Sequence, residues 1–315
     1  MLVALCGGVG AARMLSGLVR VLPGDEITAV VNVGDDMVLH GLSISPDLDT
    51  VTYTLAGLDN RETGWGVAGE SWVVMDELSR LGGEDWFRLG DRDLATHLFR
   101  TGRLAAGEPL SAVTTALCAR RGIDVRLLPV TDDPLRTRVT LAAASALGPA
   151  GTEVGFQDYF VRLAHDVPAQ RVHFDGAQDA RPAPGVMEAL TDAEMIVVCP
   201  SNPVVSIGPV LAVPGVLEAL RARRHDVVAV SPIVAGAALK GPADRLLREL
   251  GTEPSVVGVA RLYASWVGTL VIDEADAHRS GEVEAEGVRC VVAPTVMSSP
   301  ERSAHLARVV LESRA

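Results

Sequence analysis

Near the start of the chain a glycine turn and a set of carboxylates lie close enough in sequence to share one phosphate. Gly7-Gly8-Val9-Gly10-Ala11-Ala12-Arg13 follows a short apolar run, Leu2 to Leu5, and opens a stretch of helix-period apolar residues, Ala11 to Val21. Glycines between a strand and a helix let the backbone approach a phosphate, and the helix N-terminus offers unpaired N–H groups with a partial positive charge. Gly7, Gly8, Gly10 and Arg13 are therefore candidate phosphate-binding residues. The turn is not the dinucleotide fingerprint: Arg13 stands where a third small residue belongs, and no acid closes the second apolar run at the ribose position. Nor does a Gly-Lys-Ser/Thr follow, as in a Walker A loop. A tight turn without a ligand is the simpler alternative.

The carboxylates are Asp35 and Asp36, after the run Ile27 to Val33, and Asp47 and Asp49 in Ser45-Pro46-Asp47-Leu48-Asp49-Thr50. The preceding strand would carry Asn32, Gly34 and Asp35 to the same sheet edge as the glycine turn. Acids beside a phosphate repel it unless a cation lies between them. Mg²⁺ suits that position, because it binds through one or two carboxylates plus phosphate oxygens. Taken singly, each Asp could equally be a loop residue or a helix cap.

Three further segments offer polar groups. Gly90-Asp91-Arg92-Asp93-Leu94-Ala95-Thr96-His97 opens a helix that Asp91 could cap, with Asp93 near the helix dipole. Pro200-Ser201-Asn202-Pro203 through Ser206-Ile207-Gly208-Pro209 follows a fully apolar run. Ser231-Pro232-Ile233 follows another and leads to Lys240, the only lysine among 28 basic residues. Ser201, Asn202 and Ser231 supply hydroxyl and amide groups for a nucleotide, and Lys240 either neutralises a diphosphate or is simply solvated.

The elements that must position these residues follow from periodicity. Strands at 2–5, 27–33, 125–130, 138–142, 172–174, 195–199, 227–230, 256–259, 269–272 and 288–292 alternate with helices in most of the chain. The expected fold is α/β, a Rossmann-like, doubly wound, mostly parallel sheet covered on both faces. Residues 1–50 and 125–315 would form the nucleotide-binding core. Residues 51–124, with helices expected at 71–81, 91–100 and 110–121, would be a helical insertion holding Trp65, Trp72 and Trp86, either as core or as a flat surface for an aromatic substrate. A helix is expected at 156–163 and a flexible loop at 143–155.

Composition narrows the function classes. A formal charge of −12 over 315 residues argues against diffuse nucleic-acid binding, which needs Lys and Arg to displace counterions. With 48% hydrophobic and 22% charged residues the chain is no disordered polymer. No segment reaches a membrane span or a signal-peptide core, so a cytoplasmic location is expected. Cys6, Cys118, Cys199 and Cys290 lie far apart and read as buried thiols, no G-x-S-x-G elbow is present, and the histidines show no metal spacing.

Together the six segments, Gly7–Gly10 with Arg13, Asn32–Asp36, Pro46–Thr50, Gly90–His97, Pro200–Pro209 and Ser231–Ile233, resemble the phospholactate or phosphoenolpyruvate transferases that build the deazaflavin coenzyme F-420. The resemblance covers Leu2 to about Val310. It implies an enzyme that moves a phospholactyl or phosphoenolpyruvyl group from a guanosine diphosphate ester to the ribityl hydroxyl of the deazaflavin Fo, with release of GMP, Mg²⁺ as cofactor and a homodimeric assembly. It implies deazaflavin contacts at Asp49 and Arg92, where many relatives have Lys, with Thr50, Asp91 and Trp65 beside them. Asp49, Asp35 and Asp36 are the candidate catalytic residues, and Asp49, Asp47 and Asp35 the candidate metal ligands. The alternatives are a regulatory protein that binds nucleotide sugars without catalysis, which shares the glycine opening, and an NAD-dependent dehydrogenase, which the glycine pattern disfavours.

Overall fold

The structure, a computed structural model, describes residues 1–62 and 64–314. β1 (Leu2–Cys6), α1 (Gly8–Leu18) and β2 (Ile27–Val31) form a crossover unit with the strands parallel, Leu2 opposite Ile27 through to Cys6 opposite Val31. A hairpin of β3 (Met37–Leu39) and β4 (Leu42–Ile44) follows, then α2 (Pro46–Leu55), α3 (Val73–Arg80), α4 (Asp91–Ala105) and α5 (Leu110–Arg120). The strand β5 (Arg126–Pro129) returns to pair with β2, and β6 (Arg136–Leu141), β7 (Glu153–Gly155) and β8 (Ala169–Asp175) make a separate antiparallel sheet. Next come α6 (Val186–Asp192), β9 (Met195–Val198), α7 (Gly208–Ala212), α8 (Val216–Ala222) and β10 (Val227–Val230). A small ribbon, β11 (Ile233–Val234) with β12 (Ala237–Ala238), precedes α9 (Ala243–Glu249) and α10 (Val256–Tyr263). The chain closes with β13 (Thr269–Ile272), α11 (Ser280–Ala285), β14 (Arg289–Val292) and α12 (Pro300–Glu312).

Among the described residues the main sheet has seven strands in the order β14-β13-β10-β9-β1-β2-β5, all parallel. Every residue of β1, β2, β9, β10 and β13 is buried, so side chains on both faces of the sheet are covered by flanking helices. This is the α/β, Rossmann-like architecture expected from the alternation of strands and helices. The chain first runs outward through β2 and β5, then crosses to the opposite side of β1 with β9. The strand order therefore reverses at β1 and β9, where open α/β sheets form a crevice beyond the carboxyl ends of the strands.

Several expected elements differ. Residues 256–259 are the first turn of α10, whose start is capped by the Ser255 hydroxyl accepting from the Gly258 N–H at 3.2 Å. A four-residue apolar run fits a buried strand and a buried helix equally, and the Ser ahead of it was the deciding signal. The strands at 138–142 and 172–174 belong to the antiparallel sheet, and the helix expected at 156–163 is one π-type turn, Asp158–Arg162. A hairpin occupies 37–44, where no strand was expected, turning through His40 and Gly41 at φ 53 and 74. The expected loop 143–155 ends in β7. Between α2 and β5 lie α3, α4 and α5, and a second small core of Leu39, Ile44, Met75, Leu89 and Leu94 joins the hairpin to α3 and α4.

The crevice is narrow because the loop after β9 lies directly on the glycine turn. A Cβ on Gly10 would sit 2.0 Å from the Pro200 carbonyl oxygen, and one on Gly7 would sit 2.5 Å from Ser206 Cβ. Gly10→Ala is expected to cost about 1–3 kcal/mol through overpacking. Gly102→Ala, in α4 with nothing within 4 Å, is expected to gain about 0.4–1 kcal/mol. Denaturant unfolding of the two variants checks the opposite signs.

Candidate active site

A cavity of about 710 Å³ opens at the carboxyl ends of β1 and β9. Its walls bring together the glycine turn (Gly7, Gly8, Gly10, Arg13), the carboxylates Asp35, Asp47 and Asp49 with Thr50, the loop residues Ser201 and Asn202, Ser231, Lys240 and Trp65. Asp36, Asp91 and Arg92 are not on the wall.

At the phosphate-like end, α1 begins at Gly8 with its N-cap Gly7 extended and no acidic residue in its first turn. The Gly7 N–H donates to Ser201 Oγ at 3.3 Å. Asn202 uses its carbonyl oxygen to cap the turn that follows, accepting from Val204 N–H at 2.9 Å, while its buried Nδ2 has no hydrogen-bond partner. That amide is a ready donor for an anionic oxygen. The Ser231 hydroxyl is spent within its own turn, on the Ile233 backbone. Lys240 arrives on the segment after β12, and its ammonium packs against Gly64, where a Cβ would come within 2.6 Å of Nζ.

Beneath this end lie three carboxylates, two of them held by one amide. Asn32 is fully buried. Its Nδ2 donates to Asp47 Oδ2 at 2.9 Å and to Asp35 Oδ1 at 3.1 Å, and its Oδ1 accepts from Gly34 N–H at 2.7 Å. Gln157 Nε2 donates to the other Asp35 oxygen at 3.3 Å, and the Ser45 hydroxyl donates to Asp36 Oδ2 at 2.8 Å, leaving the buried Asp36 Oδ1 unpartnered. Burial raises all three carboxyls. It takes Asp47 to about 6 against the Asn32 and Gly8 hydrogen bonds, and Asp36 to about 7 against Ser45. Asp35 is pushed well up by burial and then by the Asp47 and Asp36 charges. Asp35 and Asp47, hard oxygen donors on the cavity wall whose charges repel one another, fit a divalent cation such as Mg²⁺.

At the other end Asp49 is paired with a guanidinium. Arg100, buried in α4, donates Nη1 to Asp49 Oδ2 at 3.0 Å and Nη2 to Oδ1, and Nη1 lies 3.3 Å from both the Ser43 carbonyl oxygen and His97 Nδ1. His97 Nε2 lies 3.1 Å from Asp93 Oδ2, and the Tyr53 hydroxyl donates to Asp93 Oδ1. Burial opposes ionisation of Asp93, but His97, Tyr53 and Arg100 outweigh it and hold the carboxyl below its ordinary value. The cluster Asp49, Asp93 and His97 also has metal-ligand spacing, but the Asp49 charge is already paired with the Arg100 guanidinium. Sequence reasoning missed Arg100 as a functional residue. The signal was present: Asp93, His97 and Arg100 recur at i, i+4 and i+7, one face of a helix.

Aromatic side chains cover the remaining wall. Phe156 and Phe160 stack at 5.5 Å, and Phe87 and Trp65 also line the space, while Trp72 and Trp86 do not. Asp91 ties two helices together, accepting from Ser71 Oγ at 2.6 Å and from the Val73 and Val74 N–H groups that start α3. Arg92 Nη1 donates to the Ala68 carbonyl oxygen at 2.6 Å, and Arg88 borders the cavity with its guanidinium donating to Asp76 at 2.6 Å.

A crevice at a strand-order switch, with a phosphate-like end, an acidic floor and an aromatic wall, is where open α/β sheets take small-molecule ligands. The family described as 2-phospho-L-lactate transferase CofD matches residues 2–296. A phosphoenolpyruvate transferase of Streptomyces griseus is 48% identical over 99% of this chain and 97% of its own length, and one of Mycolicibacterium smegmatis is 42% identical over 98% and 97%. Protein BH3568 of Bacillus halodurans, of the upf0052 family, shares the fold with a TM-score of 0.60 at 16% identity, covering 98% of each chain. The chain belongs to the 2-phospho-L-lactate transferase CofD family. It is a transferase of coenzyme F-420 biosynthesis. No single helix among the described residues is long and apolar enough to cross a membrane.

The raised carboxyls make stability depend on pH. Between the ordinary Asp value of 3.8 and about 7, folded Asp36 keeps a proton that the unfolded chain releases, so its contribution falls as pH rises and is gone above 7. In metal-free buffer, Asp36→Asn is expected to flatten that slope and to raise the melting temperature above pH 7. Thermal unfolding across the range from pH 5 to 8 checks it.

Proposed function

We propose that this chain transfers a phosphoenolpyruvyl group from a guanosine diphosphate ester to the ribityl hydroxyl of Fo, forming the dehydro form of coenzyme F-420-0 and releasing GMP. The names of its relatives favour enolpyruvyl over lactyl as the donor group. The observation that carries the proposal is that one cavity joins an anion-binding end, an acidic floor and an aromatic wall across Asp49. Neither a nucleotide-sugar sensor nor a hydride-transfer enzyme needs all three.

In this account the α1 N-terminus at Gly8 to Gly10, with Arg13, Ser201, Asn202 and Lys240, holds the diphosphate, and Ser231 shapes the adjoining loop. Asp35 and Asp47 would hold Mg²⁺, with Asp36 behind them; the ion, when bound, supplies charge neutralisation on the transferring phosphate. Asp49 is the weaker candidate ligand, because its charge is already paired with the Arg100 guanidinium, whereas Asp35 and Asp47 have only neutral amide donors. The deazaflavin ring packs on Phe156, Phe160, Phe87 and Trp65, with Thr50 and Arg88 at its rim. Asp49 accepts the hydrogen bond of the ribityl hydroxyl and takes its proton as that oxygen bonds to the phosphorus bearing the enolpyruvyl group. The bond from this phosphorus to the bridging oxygen breaks, and its electron pair leaves with GMP. Positioning and charge stabilisation supply most of the rate in such a step. The enzyme is proposed to act as a cytoplasmic homodimer.

Incubation of the protein with Mg²⁺, Fo and each guanosine diphosphate ester is expected to give a phosphoester of Fo and GMP, faster with the enolpyruvyl donor. Asp49→Asn is expected to lower turnover by about 10²–10³-fold with the fold retained. Full turnover in that variant removes Asp49 from the mechanism, and no product from either donor removes the proposed reaction.

A further inference from the structure

The paired helices α2 and α4 carry more order than an active-site carboxylate needs in order to be present. Asp49 and Tyr53 are four residues apart on α2, and Asp93, His97 and Arg100 share one face of α4. Asp49 meets Arg100 and Tyr53 meets Asp93, so two cross-links tie the helices together in antiparallel order. Between the cross-links lies His97, with Nδ1 on Arg100 and Nε2 3.1 Å from Asp93 without hydrogen-bond alignment. A guanidinium N–H can only donate, so the His97 Nδ1 within 3.3 Å of Arg100 Nη1 accepts, which places the neutral ring's proton on Nε2 beside Asp93. Glu70 anchors the start of α4, accepting from the Arg92 and Asp93 N–H groups at 2.8 Å each.

We propose that Arg100 is a positioning residue for the transfer step: its two-pronged pair with Asp49, held by the Ser43 carbonyl, His97 and the Asp93–Tyr53 link, fixes the Asp49 carboxylate against the acceptor hydroxyl. The inference rests on the reaction assigned above. A guanidinium fork takes one acceptor direction on each carboxylate oxygen and leaves the others open. Asp49 lines the cavity, while Arg100 does not, so the carboxylate reaches the substrate and the guanidinium acts through it. A lysine at this position keeps the charge but binds as a single point, letting the carboxylate rotate. Misplacement of a reacting group by about 1 Å costs on the order of 10²-fold in rate.

The test is a double-mutant cycle on the full chain, with Fo binding followed by its own fluorescence. Arg100→Lys is expected to lower kcat by about 10–10²-fold while leaving the KM of the donor, the Fo affinity and the melting temperature near those of the unmodified protein. In an Asp49→Asn background the same change is expected to have no further effect on kcat, since residues acting as a unit are not additive. Full kcat in Arg100→Lys overturns the proposal. So does a loss in the Asp49→Asn background as large as in the unmodified one, or a fall in kcat accompanied by equal loss of Fo binding and of thermal stability, which marks a purely structural role. If Arg100→Lys fails to fold, His97→Gln replaces it, because the Gln oxygen can accept from Arg100 but cannot reproduce the ring's link to Asp93, and unchanged kcat there overturns the proposal. Absence of transfer by the unmodified protein instead removes the assigned reaction, and the role of Arg100 with it.

Discussion

Five carboxylates out of water in one corner of the molecule set the terms for everything around them. Asp35, Asp36, Asp47, Asp49 and Asp93 are all buried, and a buried anion must be paired, protonated or bound to a cation. The two on the helical side are satisfied by protein: Asp49 by the Arg100 guanidinium, Asp93 by Tyr53 and His97. The three on the sheet side have only amide and hydroxyl donors, and burial lifts their proton affinity. That asymmetry divides the site into a fixed, paired end that can orient a neutral hydroxyl and an unsatisfied end suited to a cation with a diphosphate.

The sheet supplies the geometry that makes such burial possible. Reversal of strand order at β1 and β9 opens the crevice, and the loop after β9 closes down on the glycine turn until Gly10 touches the Pro200 carbonyl. Asn32, at the end of β2, then spans Asp35 and Asp47 with one amide and fixes their separation. The hairpin β3–β4 packs on α4, and its Ser43 carbonyl helps to hold Arg100. A small core around Met75 and Leu89 keeps the hairpin, α3 and α4 together, while α2 packs into the main core through Leu48 and Val51, so the paired end joins two cores.

Much of the sheet was legible in the sequence because its strands are continuous apolar runs buried on both faces, a pattern only an α/β fold produces repeatedly. Reading failed where two structures share one pattern: the apolar run 256–259 begins a helix, and the alternating strands 138–142 and 172–174 lie in a different sheet. The glycine turn, Asp35, Asp36, Asp47 and Asp49, and the loops at 201 and 231 were visible as residue types near strand ends. Their partners were not. Asp91 and Arg92 looked like site residues by motif, yet they serve the α3 and α4 junction, because a side chain's direction depends on neighbours far away in sequence such as Ser71 and Ala68. Arg100 and Gln157 reach the site only through tertiary contacts, although the spacing of Asp93, His97 and Arg100 held a readable trace of a shared helix face. The acidic net charge, which argues against diffuse polyanion binding, coexists with a phosphate-like end because backbone N–H groups, the Asn202 amide, Arg13 and Lys240 put donors there locally.

The central proposal is that Asp35 and Asp47, whose carboxyls burial pushes towards the protonated form, hold a divalent cation that displaces their protons. It is tested most directly by calorimetric titration of Mg²⁺ into the metal-free protein with GDP present, at a pH near 6, in buffers of different ionisation enthalpy. The account predicts net proton release on ion binding, reduced when Asp47 is replaced by Asn. Ion binding with no release of protons, or no ion binding at all, would contradict it.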